Sequence, residues 1–330
     1  MNRRTDGMLG ESEESGEFAV GVKVFTRTDR LEALLASVPS ELVSTVYIAD
    51  DGPSAGKKER RKRLYDDEYP FDLVVLDLEY DTGVGYGRWR IVEEFVEEYL
   101  LMLDSDMRVP NNVGILLELL RARPDLGGVS GSIAEPPYNR ITMLAADFEE
   151  RGNGVTLSPF HREKEIRFVE GYPLLEFDFI PNTALFRREC LEAYAWDPDY
   201  EMEFDHQDFY LGHWRRTEWS FGVCPQVILP HYPGGDDDYF EHRWVEQGRG
   251  QELILEKWGY DAFEVADYYW FDGGREPGTD PIQRDVDLRS SDRESTLKRA
   301  KQIYTEDGPL ILVRHAPSYI RRKLGDTLFK

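Results

Sequence analysis

Two aspartates, Asp104 and Asp106, stand one residue apart in the stretch LMLDSDMRVP, directly after an apolar run. Pointing such a pair into a core is prohibitive, because a buried charge needs a partner or a metal. At a strand end both side chains can turn toward one cation, although a solvated acidic loop has the same spacing. Three further titratable groups, Asp205, His206 and Asp208, open the stretch DHQDFYLGHWRR. Asp205 and Asp208 are three apart and would share a helix face. Acids also suit a helix N-terminus for its dipole alone. His231 closes the run WSFGVCPQVILPH just before a glycine-containing loop.

The elements that must position these groups follow from periodicity. FAVGVKVF, TVYIAD, FDLVVLDL and YLLMLD have the composition and length of strands. Between them, DRLEALLASV reads as a helix capped by Asp29. RWRIVEEFVEEY reads as a helix with Ile91, Val92, Phe95, Val96 and Tyr99 on one stripe, and NNVGILLELLRA as another. Strands alternating with helices predict a mostly parallel α/β sheet covered by helices on both faces. Ligands of such sheets sit beyond the C-terminal strand ends. Thr26 and Arg27, Asp50 and Asp51, and Asp104 and Asp106 all fall there. After GVSGSI the chain is β-leaning to about Phe186, and DHQDFYLGHWRR is an amphipathic helix.

The chain has 330 residues, is 41% hydrophobic and carries a formal charge of −24. That field opposes nucleic acid, whose phosphates are matched by clustered Lys and Arg. Acid spread through nearly every segment suits solubility in concentrated salt, where self-repulsion is screened, and points to a halophilic cytoplasmic protein. The two cysteines, Cys190 and Cys224, give neither a disulfide framework nor a zinc spacing. The opening MNRRTDGMLGESEESGEF lacks an apolar stretch of signal-peptide length, and no window approaches a membrane span. Residues 1–17 are expected to be a disordered acidic tail.

The ordered set of Thr26 after the first strand, IADDGPS, GVGYGRWR and LMLDSDMRVP resembles an inverting family 2 glycosyltransferase of GT-A fold. The likeness runs from about Phe18 to His231. It implies a catalytic domain over 18–235, with a nucleotide-sugar half (18–133) and an acceptor half (134–235). Residues 236–330 would then form a lid loop and a helical C-terminal extension. In the family, Thr26 and Asp51 would recognise the nucleotide base, Arg88 would lie near the donor, and Asp104 near the ribose or a metal-bound water. Asp106 would ligate Mg²⁺ or Mn²⁺ directly, with Asp104 and His231 as further candidate ligands, because hard oxygen donors suit those ions. The cation would neutralise the departing diphosphate. The base that deprotonates the acceptor would be Asp205 first, Asp208 second, with His206 a third candidate. The family's usual asparagine after the arginine is Trp89 here.

The resemblance therefore implies transfer of a hexose or N-acetylhexosamine from a nucleotide-sugar donor, a UDP-sugar foremost, to a glycan or polyprenyl-linked acceptor. Alternatives are a nucleotidyltransferase that makes nucleotide sugars, which would need a glycine-rich loop after the first strand, and a non-catalytic saccharide-binding protein. The C-terminal LILVRHAPSYIRRKLGDTLFK is basic beside apolar residues. It suits either peripheral contact with an anionic membrane, at the inner face, or docking on the acidic domain.

Overall fold

The structure, a computed structural model, describes residues 16–233 and 249–273. Most of the acidic tail, the lid segment after Pro233 and the C-terminal basic stretch lie outside the described residues. So do residues 274–284, a stretch rich in Gly, Pro and Asp before that basic tail.

All four early strands form where alternation places them: β1 (Phe18–Val24), β2 (Val43–Asp50), β3 (Asp72–Asp77) and β4 (Tyr99–Asp104). They pair in parallel in the order β3-β2-β1-β4. Next come β5 (Leu126–Glu135), β6 (Arg140–Leu144), β7 (Asp147–Arg151), β8 (Gly154–Ser158), β9 (Arg167–Val169), β10 (Tyr172–Phe177), β11 (Ala184–Arg187) and β12 (Ser220–Pro230). β11 inserts antiparallel between β4 and β5, and β12 runs parallel to β5. All of these except β7 and β8, together with one later strand that pairs with β6, make one sheet of eleven strands among the described residues. β1, β2, β4, β5 and β12 therefore all point their C-terminal ends at one edge.

Helices cover both faces. The period of two along β1 sends Val20, Val22 and Val24 to one face and Ala19 to the other. The first face packs α1 (Thr28–Leu35) through Leu31, Leu34 and Leu35, and α4 (Gly114–Ala122) through Leu116 and Leu120. The second packs α3 (Val84–Glu94), α5 (Arg188–Ala193) and α6 (Asp205–Arg216). α2 (Ser54–Arg60) continues as a wider turn through Tyr65.

Residues 249–273 add α7 (Arg249–Trp258), β13 (Ala262–Val265) and β14 (Tyr269–Gly273). β14 pairs with β6 of the large sheet, and β13 with β8 of a three-stranded sheet. This part of the expected helical extension thus adds two strands as well as a helix.

Two local expectations are corrected. Asp29 does not cap α1; it lies in the first turn, and the position before the helix is Arg27, held at φ 63° without a side-chain cap. The apolar stripe to Tyr99 is not one helix either. α3 starts four residues earlier than expected and stops at Glu94, with Phe95 already extended. Val96 is 72% exposed, and Tyr99 opens β4 opposite Arg187. Long-range contacts end the helix: the Arg188 guanidinium donates to the Glu97 carbonyl, and Tyr47 Oη donates to Glu97 Oε2 at 3.2 Å. Strand pairing overrides a local 3.6-residue period.

Candidate active site

The turn after β4 is stitched to the end of β12 by backbone bonds. Arg108 N donates to Pro230 O at 2.9 Å, Tyr232 N to Asp106 O at 2.9 Å, and Met107 bridges to His231. His231 N donates in turn to Ala134 O at 2.7 Å, beside the end of β5. Two side chains remote in sequence are thereby fixed together. His231 Nε2 lies 3.4 Å from Asp106 Oδ2, while Nδ1 lies 3.1 Å from Glu135 Oε1. Arg27 Nη1 reaches the same Asp106 oxygen at 2.5 Å. Burial opposes protonation of His231, yet Asp106 and Glu135 on either side raise its pKa to about 9.

Asp104 faces the other way. Its side chain is 45% exposed, whereas the Asp106 side chain is only 5% exposed. Arg88 Nη2 donates to Asp104 Oδ1 at 2.8 Å, and Arg88 Nη1 donates to Asp205 Oδ2. Burial pushes the Asp104 carboxyl up, but Arg88, then His206, His231 and Arg27, bring it down to about 2. Asn182, with its amide carbonyl turned to the three donors, accepts from Trp196 Nε1 at 3.1 Å, Arg88 Nη1 at 2.8 Å and His206 Nε2 at 3.0 Å. Aromatic packing holds this end of α6 in place. Trp196 stacks on Phe209 at 4.3 Å between centroids, 9° apart in plane, and the Arg88 guanidinium lies 5.8 Å from the Trp196 ring.

Asp51 is fully buried at the end of β2. Lys23 Nζ pairs with Oδ1 at 2.8 Å, and Gly83 N donates to Oδ2 at 3.0 Å. Burial raises the Asp51 pKa despite the lysine. Gly83 needs its lack of a side chain, since its φ is 97° and a Cβ would lie 2.5 Å from Glu201 Cα. The neighbouring Asp50 is structural: Arg60 and Tyr65 both donate to it. Thr26 Oγ1 is buried with no partner among the described residues.

The predicted residues thus divide. Asp104, Asp106, Arg88, Asp205, His206 and His231 meet in one region at the C-terminal strand edge, with Asp51 and Thr26 at the ends of the adjoining strands. Asp208 does not join them. It is wholly buried and takes four donors: Tyr194 Oη at 2.9 Å, Tyr200 Oη at 3.2 Å, Lys257 Nζ at 2.7 Å and Trp258 Nε1 at 2.8 Å. A carboxylate with four donors anchors α7 to α6, surroundings that differ from those of Asp205 and do not favour its reading as a candidate base. Nor do Asp104, Asp106 and His231 form a ready trio. Among the described residues no group of three or more His, Cys, Asp or Glu is gathered to hold an ion. Arg88 draws Asp104 aside, and only Asp106 and His231 stay close.

That pair nonetheless fits a divalent ion of the Mg²⁺ or Mn²⁺ kind. Such ions commonly keep one or two protein ligands and fill the remainder with water and phosphate. The Glu135 carboxylate on Nδ1 fixes the imidazole with Nε2 toward Asp106, as outer-shell carboxylates do for metal-bound histidines. Three partners were not anticipated from sequence: Lys23, Glu135 and Asn182. Arg27 was expected at the ligand edge beside Thr26, but without a role.

No helix among the described residues is long and apolar enough to cross a membrane. No family model matches the chain, and no curated protein sequence does. Solved structures are similar to it. GalNAc-T7, solved with UDP, GalNAc and Mn²⁺, aligns at TM-score 0.50 and 12% identity, over 76% of this chain and 55% of its own. A mannosyltransferase of Pyrobaculum calidifontis, in complex with GDP-Man and Mn²⁺, aligns at 0.48 and 12%, over 94% and 80%. Residues 1–349 of S. aureus TarS align at 0.46 and 13%, over 74% of this chain and 66% of that one. The likeness to GalNAc-T7 establishes the fold alone: α/β of the GT-A type, with helices flanking a large central sheet.

Proposed function

We propose that this chain is a metal-dependent inverting glycosyltransferase. It moves a hexose or N-acetylhexosamine from a nucleotide-sugar donor, a UDP-sugar foremost, to a glycan or lipid-linked acceptor. The observation that carries this reading is the file of Glu135, His231 and Asp106 at the ends of β5, β12 and β4. It supplies a carboxylate and an oriented imidazole where donors bind in open α/β sheets. The presence of UDP, GalNAc and Mn²⁺ in the GalNAc-T7 structure supports the same choice of donor and ion.

Each residue takes a role from its surroundings. Asp106 and His231 would hold the ion, which supplies charge neutralisation for the diphosphate. Thr26, with its partnerless hydroxyl, and Asp51, beside Lys23, would recognise the nucleotide base. Asp104 is exposed and ionised, and it faces the ribose. Arg88 carries Asp104 on one nitrogen and Asp205 on the other, so donor and acceptor groups share one buried guanidinium.

Asp205 is the base. Arg88 donates to its Oδ2, which orients the carboxylate, and His206 Nε2 lies 3.9 Å from the same oxygen. In the transfer step the acceptor oxygen forms a bond to C1 of the sugar as the bond from C1 to the diphosphate breaks. The hydroxyl proton passes to Asp205, and the nucleoside diphosphate leaves with the bonding electron pair. His206 turns its Nε2 to Asn182 and serves to position Asp205. The nucleotidyltransferase alternative lacks support, since no glycine occupies the turn after β1, where Arg27 stands. A charge of −24 fits work in a salt-rich cytoplasm.

The stereochemistry tests the mechanism. Proton NMR of the first-formed product from a donor of known anomeric configuration should show the opposite configuration. Retention would overturn the direct-displacement step.

A further inference from the structure

Asp106 already carries a cation, and that cation belongs to the chain. Arg27 Nη1 sits 2.5 Å from Asp106 Oδ2, the same oxygen that lies 3.4 Å from His231 Nε2. The Arg27 backbone is held in the left-handed region, at φ 63°, unusual for a non-glycine residue and costly unless surrounding structure imposes it. The side chains of Arg27 and Asp106 are 15% and 5% exposed, so water screens the pair little. A metal ion and this guanidinium would compete for one oxygen.

We propose that Arg27 is an exchangeable counter-cation: it neutralises Asp106 while the metal is away and transfers to the donor's diphosphate when the metal arrives. This rests on the reading of Asp106 and His231 as metal ligands. Arg27 is suited to the second partner as well as the first, because a planar guanidinium fits carboxylate and phosphate alike. The exchange makes metal binding and diphosphate binding mutually dependent. A metal ion alone must evict Arg27 with no new anion to receive it. A metal ion arriving with a nucleoside diphosphate gives the guanidinium somewhere to go, so each ligand raises affinity for the other. Arg27 is a positioning residue in this scheme and forms no bond to the reacting sugar.

The test is titration of the full chain with Mn²⁺, followed by calorimetry or by the electron-spin resonance of free Mn²⁺, with and without UDP. Arg27→Gln keeps a polar, hydrogen-bonding side chain, shorter than arginine, and removes its charge. It should bind Mn²⁺ alone about tenfold or more tightly than the wild type, bind UDP in the presence of Mn²⁺ more weakly, and reduce the coupling between them. Arg27→Lys, which retains charge without the fork, should fall between the two. Arg108→Gln is the control for the general field. Arg108 stands near Asp106, but its Nη1 bonds to the carbonyls of Met107 and Arg30 and not to that carboxylate. Should Arg108→Gln tighten Mn²⁺ binding as much as Arg27→Gln, the effect is one of field alone and the exchange is overturned. Equal Mn²⁺ affinity in wild type and Arg27→Gln overturns it too. A wild type that binds UDP but takes up no Mn²⁺ under either condition removes the metal reading itself, and the exchange with it.

Discussion

Asp104 and Asp205, 101 positions apart in the chain, are joined by a single guanidinium: Arg88 Nη2 on Asp104 at 2.8 Å and Arg88 Nη1 on Asp205. One acid ends β4 and the other begins α6. The proposed donor side and acceptor side are therefore set by one side chain, itself 2% exposed and braced by Asn182 and Trp196.

Arg88→Lys should fail where a merely positive side chain would succeed. An ammonium cannot bridge two carboxylates with the geometry of a planar fork. Loss of the buried contact to Asp205 should lower unfolding stability by about 3 kcal/mol, the scale of a broken buried pair. Urea denaturation gives the stability, and donor titration should show weakened binding.

Asp205→Asn and Asp208→Asn should part company. The first should keep donor affinity yet lose kcat by about 10²–10⁴-fold, as loss of a general base does. The second should keep kcat within a few-fold while stability falls by about 2–3 kcal/mol, because Lys257 loses its buried partner. Steady-state kinetics beside urea melts separate the two. Equal kinetic damage from both would return Asp208 to the site.

This contrast also marks what the sequence could reveal. Asp205 and Asp208 look alike in DHQDFYLG, both acids in the first turn of an amphipathic helix. Only Tyr194, Tyr200, Lys257 and Trp258, brought in by tertiary packing, tell them apart. The position of Asp104, Asp106 and His231 at one sheet edge was legible because strand ends are themselves a signal in an open α/β sheet. Glu135 was not, since it meets His231 across 96 residues and the β5–β12 pairing is invisible to local periodicity. The four parallel strands follow from alternation and apolar runs. The end of α3 does not, because the stripe from Ile91 to Tyr99 continues a helical period past the point where β4 claims the chain.

Gly83→Ala should damage the nucleotide side without touching a charged group. A Cβ at φ 97° would meet the Glu201 backbone, and its amide would shift from Asp51. A loss of about 2 kcal/mol or more is expected, together with weaker nucleotide binding. Thermal unfolding and UDP titration would record both.

Acid sensitivity should trace in part to His213. Burial lowers its pKa from 6.5 to about 3, and it sits among Phe209, Phe221 and Tyr194 with Cys190 at 3.6 Å. Unfolded, the imidazole takes a proton below about pH 6.5; folded, it does not until about 3. Its contribution to stability is therefore whole above that window and lost progressively as pH falls through it. Between pH 7 and 5 this one group should cost about 2 kcal/mol, and His213→Gln should abolish that share of the slope. Paired urea melts of wild type and variant at the two pH values measure the difference. Parallel slopes would show that His213 titrates normally.

In the proposed mechanism Asp106 would hold a divalent ion on which sugar transfer depends. The most direct test is release of nucleoside diphosphate by the purified full chain, across UDP- and GDP-linked hexoses and N-acetylhexosamines with Mn²⁺. Release is expected from at least one donor, abolished by excess chelator, restored by added Mn²⁺ and absent in Asp106→Ala. Release that continues undiminished in excess chelator, or an Asp106→Ala variant as active as the wild type, would contradict that mechanism.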